Sequence, residues 1–483
     1  MADPIIHTNQ DLKEKWIKNF QTAPEQLKKM AQVNGLISAF NANIDAVIKI
    51  SGEKIEELVV ANGLDEVRLF DEGERQIRIK EDVVRGIIHC FRAGIAEEWL
   101  IGDEHIYNWL IEEMGYDKLQ MGGQGGIVAN VMAVCGVDPV YVHCASLPEN
   151  QAGLFLDREN LKTVDQEGIL RKAYSIDRQG DIPLIHWIIE FDKGDSISIA
   201  GRTIICPKSN RFIATYDPLN FKLHIDEDFS KAMSSRHDQI EIIILSGYQM
   251  LQETLRDGRP GKERVDASLL TIKKWRSKRP AQLVHLEMAS TQDKVMRKYL
   301  LDTLARRVDS LGFNERELID LLEVMGENEL VAQCARNTNS SNLFEGMIKL
   351  FSYTRVPRLQ LHMYGLYLTL QKRDFTIRAE ENRNGMQLAA IIAASKAGTG
   401  AIDSEEVLLW AKDKSVSDYG LDELKRLSEY IGKKFGENEL PEQGIWVGEE
   451  FELIAVPTIL IDKPVTLVGM GDTISSISLV AAR

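Results

Sequence analysis

The chain has 483 residues, 44% of them hydrophobic and 27% charged, which is room for a large core and more than one domain. With 58 Lys plus Arg against 73 Asp plus Glu the net charge is −15, which argues against nonspecific nucleic-acid binding and against anionic membranes. Five scattered cysteines form no CxxC pair, which excludes a zinc site or disulfide framework read from spacing and fits reduced thiols in the cytoplasm. The first 30 residues are polar and helix-like, so no signal peptide is expected, and no apolar run is long enough to span a bilayer.

Leu12–Gln32 reads as one amphipathic helix, and Leu36–Phe40 as a short buried strand. That strand ends in Asn41, Asn43 and Asp45, polar groups at the carboxyl end where open α/β sheets bind ligands; the plain alternative is a solvated Asx turn. Glu53–Glu112 is charged and mostly helical in pattern. Met121–Asn130 follows, with four glycines around Gln124 and a smooth apolar helix from Ile127. Backbone there can approach a ligand closely, and Gln124 can donate and accept. Pro139–Ser146 is the next strand, and the alternation of strand and helix predicts a doubly wound sheet.

Ile182–Phe191 and Ser196–Ile205 read as strands joined in a hairpin by the turn Asp192–Asp195. A hairpin inside an alternating pattern predicts a second, smaller sheet inserted as a lid. His186 interrupts the apolar residues of the first strand, and cations follow it. Ile242–Leu245 and Leu283–Ala289 are strands; His285 and Glu287 on the latter share a face. Asn314 and Glu317 lie three apart at a helix start. Arg358–Leu368 reads as one strand with His362 and Tyr364 on the same side, and Asp403–Lys434 as polar helix. Leu453–Val456 leads to a last strand over Thr466–Val468, then Gly469, Gly471 and Asp472 at the opening of a helix. A glycine turn before a helix aims N–H groups at an anion, and Asp472 at its edge can take a proton from an attacking hydroxyl. The plain alternative is a Gly-rich turn with Asp472 as N-cap. No P-loop and no GxGxxG spacing is present. Glu287 and Glu317 are the candidates for holding Mg²⁺.

The stretches Asn41–Asp45, Gly122–Gly126, Asn210–Ile213, His285–Glu287, Asn314–Glu317 and Gly469–Asp472 together resemble the ADP-dependent sugar kinases of archaea, within the ribokinase-like superfamily. The resemblance implies an α/β fold, a Rossmann-type doubly wound sheet with a smaller inserted β-sheet lid. Residues 1–45, 117–180 and 215–483 then form the large nucleotide-binding domain, and 46–116 and 181–214 the lid. It implies Asp472 as base, with Gly469 and Gly471 in the anion hole and Arg211 bridging towards the transferred phosphate. Glu287 and Glu317 would hold Mg²⁺. Asn43, Asp45, Gly123, Gln124 and His186 would hold the sugar, and Val456, His362, Tyr364 and Asn314 the nucleotide. ADP as donor, leaving as AMP, is implied by the resemblance alone; the residues do not separate ADP from ATP, so an ATP-dependent ribokinase-type carbohydrate kinase stays open, as does an idle sugar-binding protein on the same fold. For the acceptor, fructose 6-phosphate needs cations, and Arg178, Lys193, Arg202 and Arg211 surround the lid strands. In the family glucose binding relies on a lid glutamate; Glu98 is the best match, with Glu97 and Glu72 as alternatives. The expectation is a cytoplasmic phosphofructokinase that also phosphorylates glucose and has neither nucleic acid nor membrane as partner.

Overall fold

The computed structural model describes residues 9–66, 68–70, 75–276, 282–466 and 468–483. Two sheets carry two separate apolar cores. In the eleven-stranded sheet Leu36–Ala39 lies inside, flanked by Val140–Val142 on one side and Ile242–Leu245 on the other, all parallel. Parallel strands continue outward through Leu161–Val164 in one direction and through Leu283–Glu287, Ser310–Phe313 and Arg358–Met363 in the other. Strand order therefore reverses at Leu36–Ala39, and ligands of doubly wound sheets bind at such a switch point, beyond the carboxyl ends. The expected α/β architecture holds.

The smaller sheet runs Gln76–Ile77, Glu97–Ile101, Asn210–Tyr216, Ile185–Phe191, Asn43–Lys49, Lys118–Gly122. Trp99, Trp187, Phe212 and Ala214 turn to one face and are buried. The helix Lys80–Ala93 covers them so closely that a Cβ on Gly86 would stand 2.3 Å from the Phe212 ring. Alternation sends Asp45, Glu98, His186, Arg211 and Thr215 to the other face. Among the described residues no helix is long and apolar enough to cross a membrane.

Several expected elements differ. Pro24 breaks the first helix into Asn9–Phe20 and Gln26–Met30. Asn43 and Asp45 begin a strand rather than an Asx turn. The charged stretch after Glu53 contains the strands Gln76–Ile77 and Glu97–Ile101 between its helices, and the polar stretch after Asp403 is helical only over Glu405–Leu408 and Asp418–Phe435. Lys118–Gly122, expected in the larger part, pairs in the smaller sheet. Ser196–Ile205 is itself a hairpin turning at Ala200-Gly201, both with positive φ, and Ile185–Phe191 pairs instead with Asn210–Tyr216. Arg358–Leu368 is also a hairpin, folded at Tyr364-Gly365. Thr466 and Val468 lie outside any strand, and Leu467 and Glu72 fall outside the described residues.

Candidate active site

The C-terminal helix Met470–Val480 begins on Gly469, whose φ of 62° favours glycine. Asp472 is thus not the N-cap; it occupies the third helical position, 9% exposed. The first amides of the helix lack carbonyl partners within it, and the helix dipole there favours negative charge. The long helix Ala379–Thr399 packs behind this turn. A Cβ on Gly385 would stand 2.5 Å from the Ser478 carbonyl, so the two helices touch backbone to backbone. That contact brings the buried Lys396 ammonium to 3.2 Å from both the Gly469 carbonyl and the Thr473 hydroxyl. Burial lowers its pKa to about 8, against the opposing charges of Asp472 and Asp45. Burial also raises the Asp472 pKa, with Gln124 and Lys396 acting against the rise.

Gln124 ties this turn to the switch point. It opens the helix Gln124–Val134, three residues earlier than the apolar run predicts. Its amide nitrogen donates to Asp472 Oδ1 at 2.6 Å, and its oxygen accepts from the Gly247 N–H at 3.2 Å. Gly123 has φ 72°, and a Cβ there would strike Asn43 Oδ1 at 2.6 Å and the Asn41 carbonyl at 2.7 Å. Asn43 donates to Asp45 Oδ1 at 2.9 Å. Asn41 Oδ1 and Asn43 Oδ1 are buried acceptors without a partner among the described residues, an arrangement that a hydroxyl-rich ligand satisfies. Burial raises Asp45 to about 6 in spite of His186, Asn43 and Arg211.

His186 pairs in register with Asp45 and Thr215. Its Nε2 is 3.1 Å from Asp217 Oδ2 and its Nδ1 3.9 Å from Glu98. Burial opposes its charge, but the hydrogen bond to Asp217 and the charges of Glu98, Asp217 and Asp45 prevail and raise it to about 9. Folding therefore gains from this proton fully below 6.5, the ordinary histidine value, and loses that gain as pH climbs through about 9. The stability advantage of wild type over His186→Gln is expected to shrink across that interval in thermal melts; an advantage that stays constant with pH would refute the charged pair.

Glu98 accepts from the Thr215 hydroxyl at 2.7 Å on the face that also carries Asp45 and His186. Glu97 points to the opposite face, taken by Trp99 Nε1, Arg75 and His89. A cavity of about 680 Å³ opens beside Glu98, lined also by Arg75, Gln249 and Arg256. Neither arginine falls in a sequence motif; Arg256 sits in a loop, donating to the Ile101 carbonyl and stacking over Phe221. Two expected cations lie elsewhere. Arg178 is buried and bound to the carbonyls of Val164 and Cys144 and to Asp226. Arg202 is exposed on the small hairpin, over the Phe70 ring. Lys193 is exposed at the turn, and Arg211 stays on the same sheet face as Asp45 and near it.

Glu287, the last residue of Leu283–Glu287, ends up close to Glu317 in the first turn of the helix that follows the neighbouring strand Ser310–Phe313. Burial, then Asp472 and Glu317, raise the Glu287 pKa well above the carboxylate range. Burial raises Glu317 to about 8, although the Asn314 N–H donates to it at 2.9 Å in a capping box. Buried acids in this state call for a cation. His362, expected at the nucleotide, stands beside this pair, 3.6 Å from Glu287. Tyr364 is 64% exposed in the hairpin turn beside Tyr419, at the end of the strand that pairs with Val456 and its neighbours, and the Val456 side chain is fully buried. Asn314 is the N-cap of Glu315–Met325.

A helix-start anion site, a poised carboxylate, a buried acidic pair and a polar cavity are the parts of a phosphotransferase that acts on a hydroxyl. The conserved region of ADP-specific phosphofructokinase/glucokinase matches residues 34–481, and the chain belongs to that family. It is 28% identical over 485 residues to an ADP-specific phosphofructokinase of Methanosarcina acetivorans, covering 97% of each chain. It is 31% identical to an ADP-dependent glucose/glucosamine kinase of Pyrococcus abyssi, covering 96% of this chain and 98% of that one. A solved ADP-dependent kinase in complex with fructose-6-phosphate and ADPβS superposes with a TM-score of 0.82 at 30% identity, covering 97% and 98%.

Proposed function

We propose that the chain transfers the β-phosphoryl group of ADP to a hexose hydroxyl and releases AMP, with fructose 6-phosphate giving fructose 1,6-bisphosphate and glucose giving glucose 6-phosphate. The observation that carries this reading is Gln124, which holds Asp472 at 2.6 Å while its own turn lies against Asn41 and Asn43. A sugar hydroxyl seated on the asparagines and Asp45 lies next to Asp472, which takes its proton as the oxygen attacks phosphorus. The amides of Gly469–Asp472 and the guanidinium of Arg211 stabilise charge on the transferred group. Glu287 and Glu317 suit Mg²⁺, since an unneutralised acidic pair this deeply buried is unfavourable. When bound, that ion neutralises nucleotide phosphate charge. Tyr364, Val456 and Asn314 border the nucleotide position, and His186 and Glu98 contact the sugar. Relatives named for both acceptors support the double specificity.

The smaller sheet, residues 46–116 and 181–214 joined by the edge strand Lys118–Gly122, is proposed as a lid that closes over the sugar. Five buried free thiols support a cytoplasmic setting. The test is a matrix of donors (ADP, ATP, pyrophosphate) against acceptors (fructose 6-phosphate, glucose). Turnover of both sugars with ADP is expected, and no turnover of fructose 6-phosphate with ADP overturns the proposal. In the same matrix Glu98→Ala is expected to lower kcat/KM for glucose by about 10–100-fold, the value of a hydrogen bond to a charged group, with a smaller loss for fructose 6-phosphate. Equal losses for the two sugars would remove Glu98 from glucose selection.

A further inference from the structure

The Glu287 carboxylate and the His362 imidazole face each other at 3.6 Å, too far for a hydrogen bond. The other polar atoms around the pair are already engaged. The Ser475 hydroxyl donates to Glu287, and its oxygen lies 3.3 Å from His362 Nδ1. With that hydroxyl proton engaged, Ser475 accepts from Nδ1–H, and a neutral His362 is left with a bare Nε2 lone pair towards Glu287 Oε1. The other Glu287 oxygen is fixed independently. Arg358 donates to the Ser310 hydroxyl at 2.9 Å, Ser310 Oγ lies 2.9 Å from His285 Nδ1, and His285 Nε2 lies 3.2 Å from Glu287 Oε2. Two ligand-type atoms therefore oppose each other with no hydrogen bond between them. Glu317 adds a third, and one donor atom from each of the three residues lies within 4.8 Å of the others. Gly471 leaves the approach clear, since a Cβ there would stand 2.7 Å from His362 Nε2. A histidine whose second nitrogen is held by a hydrogen bond is the usual form of a metal ligand.

We infer that His362 Nε2 is a third protein ligand beside Glu287 and Glu317, and that this nitrogen makes the site favour a first-row ion such as Mn²⁺ or Co²⁺ over Mg²⁺. Imidazole nitrogen adds affinity for such ions and little for magnesium, which prefers oxygen. The inference rests on the reading of Glu287 and Glu317 as metal-holding residues. The experiment uses the full-length, nucleotide-free protein with Mn²⁺ alone, read by electron spin-echo modulation and by titration. Bound Mn²⁺ is expected to show ¹⁴N modulation that changes to the ¹⁵N pattern when histidine is ¹⁵N-labelled, a measurement that needs no variant. His362→Gln is expected to abolish the modulation and weaken Mn²⁺ binding by about 10-fold or more, with Mg²⁺ affinity changed by less than about threefold. Bound Mn²⁺ without nitrogen modulation, or modulation that survives in His362→Gln, overturns the role of His362 and leaves the acidic pair standing. No bound Mn²⁺ at all overturns the acidic pair as well.

Discussion

Asp472→Asn is expected to lower turnover of fructose 6-phosphate with ADP by about 10²–10⁴-fold, the range for loss of a positioned general base. The asparagine keeps an Oδ1 for the Gln124 amide, now 2.6 Å from the aspartate, so the glycine turn stays anchored. Sugar affinity should change little, because Asn41, Asn43 and Asp45 are untouched. Stability should not fall either: burial raises the Asp472 pKa, and its charge raises that of Glu287, so a neutral isostere relieves both. The acid limb of the wild-type rate profile should lie above the ordinary aspartate range and vanish in the variant. Calorimetry for sugar binding, thermal melts and single-turnover kinetics separate these effects. Retained turnover removes Asp472 from the chemistry.

The parts of this site that the sequence exposes are those encoded by a few consecutive residues in a turn or at a helix start. The Gly469–Asp472 turn, the glycines around Gln124 and the Asn314–Glu317 capping box each specify a local backbone, so reading them needs no knowledge of distant pairing. What escapes the sequence is non-local. Ser196–Ile205 has the length of one strand, and only its turn at Ala200-Gly201 shows that it pairs with itself. Ile185–Phe191 then waits for a partner that begins at Asn210. Tyr364-Gly365 hides a hairpin in the same way, because apolar residues continue on both sides of it.

Charge is misread for a related reason. Arg178 looks available beside the lid strands, yet two main-chain carbonyls and Asp226 enclose it, and carbonyl acceptors leave no trace in sequence. Arg75 and Arg256 reach the cavity from segments far apart in the chain. Glu97 and Glu98 are indistinguishable until Glu97–Ile101 is known to be a strand, whereupon alternation assigns them to opposite faces. His362 shares a face with Gln360, which pairs through Gly312 with Glu287, so alternation along Arg358–Met363 places it against the acidic pair, and Tyr364 lies beyond the strand in the turn.

Gly312→Ala is expected to cut turnover by about 10²-fold, the cost of displacing a catalytic arrangement by about 1 Å. Gly312 pairs with Glu287 on one side and Gln360 on the other. A Cβ on it would lie 2.0 Å from Glu287 Oε2, 2.7 Å from Ser475 Oγ and 3.0 Å from His285 Cε1. None of these can retreat cheaply. His285 is held by Ser310, Ser475 belongs to the buried C-terminal helix, and Glu287 Oε2 is fixed by His285. The carboxylate must therefore rotate away from Glu317 and His362, and half-saturation by divalent ion should rise together with the fall in kcat. Overpacking of this kind typically costs about 1–3 kcal/mol, which lowers the melting temperature without unfolding a chain with two extensive cores. Sugar binding, read by calorimetry, should persist, since the nearest atoms to the added methyl belong to Glu287, Ser475 and His285, not to the proposed sugar residues Asn41, Asn43 and Asp45. The decisive measurement is the double variant. If the added methyl acts through Glu287, then Gly312→Ala in a Glu287→Ala background should cost little more than Glu287→Ala alone. Losses that multiply would show that the methyl damages the site by another route, and would detach Gly312 from the acidic pair.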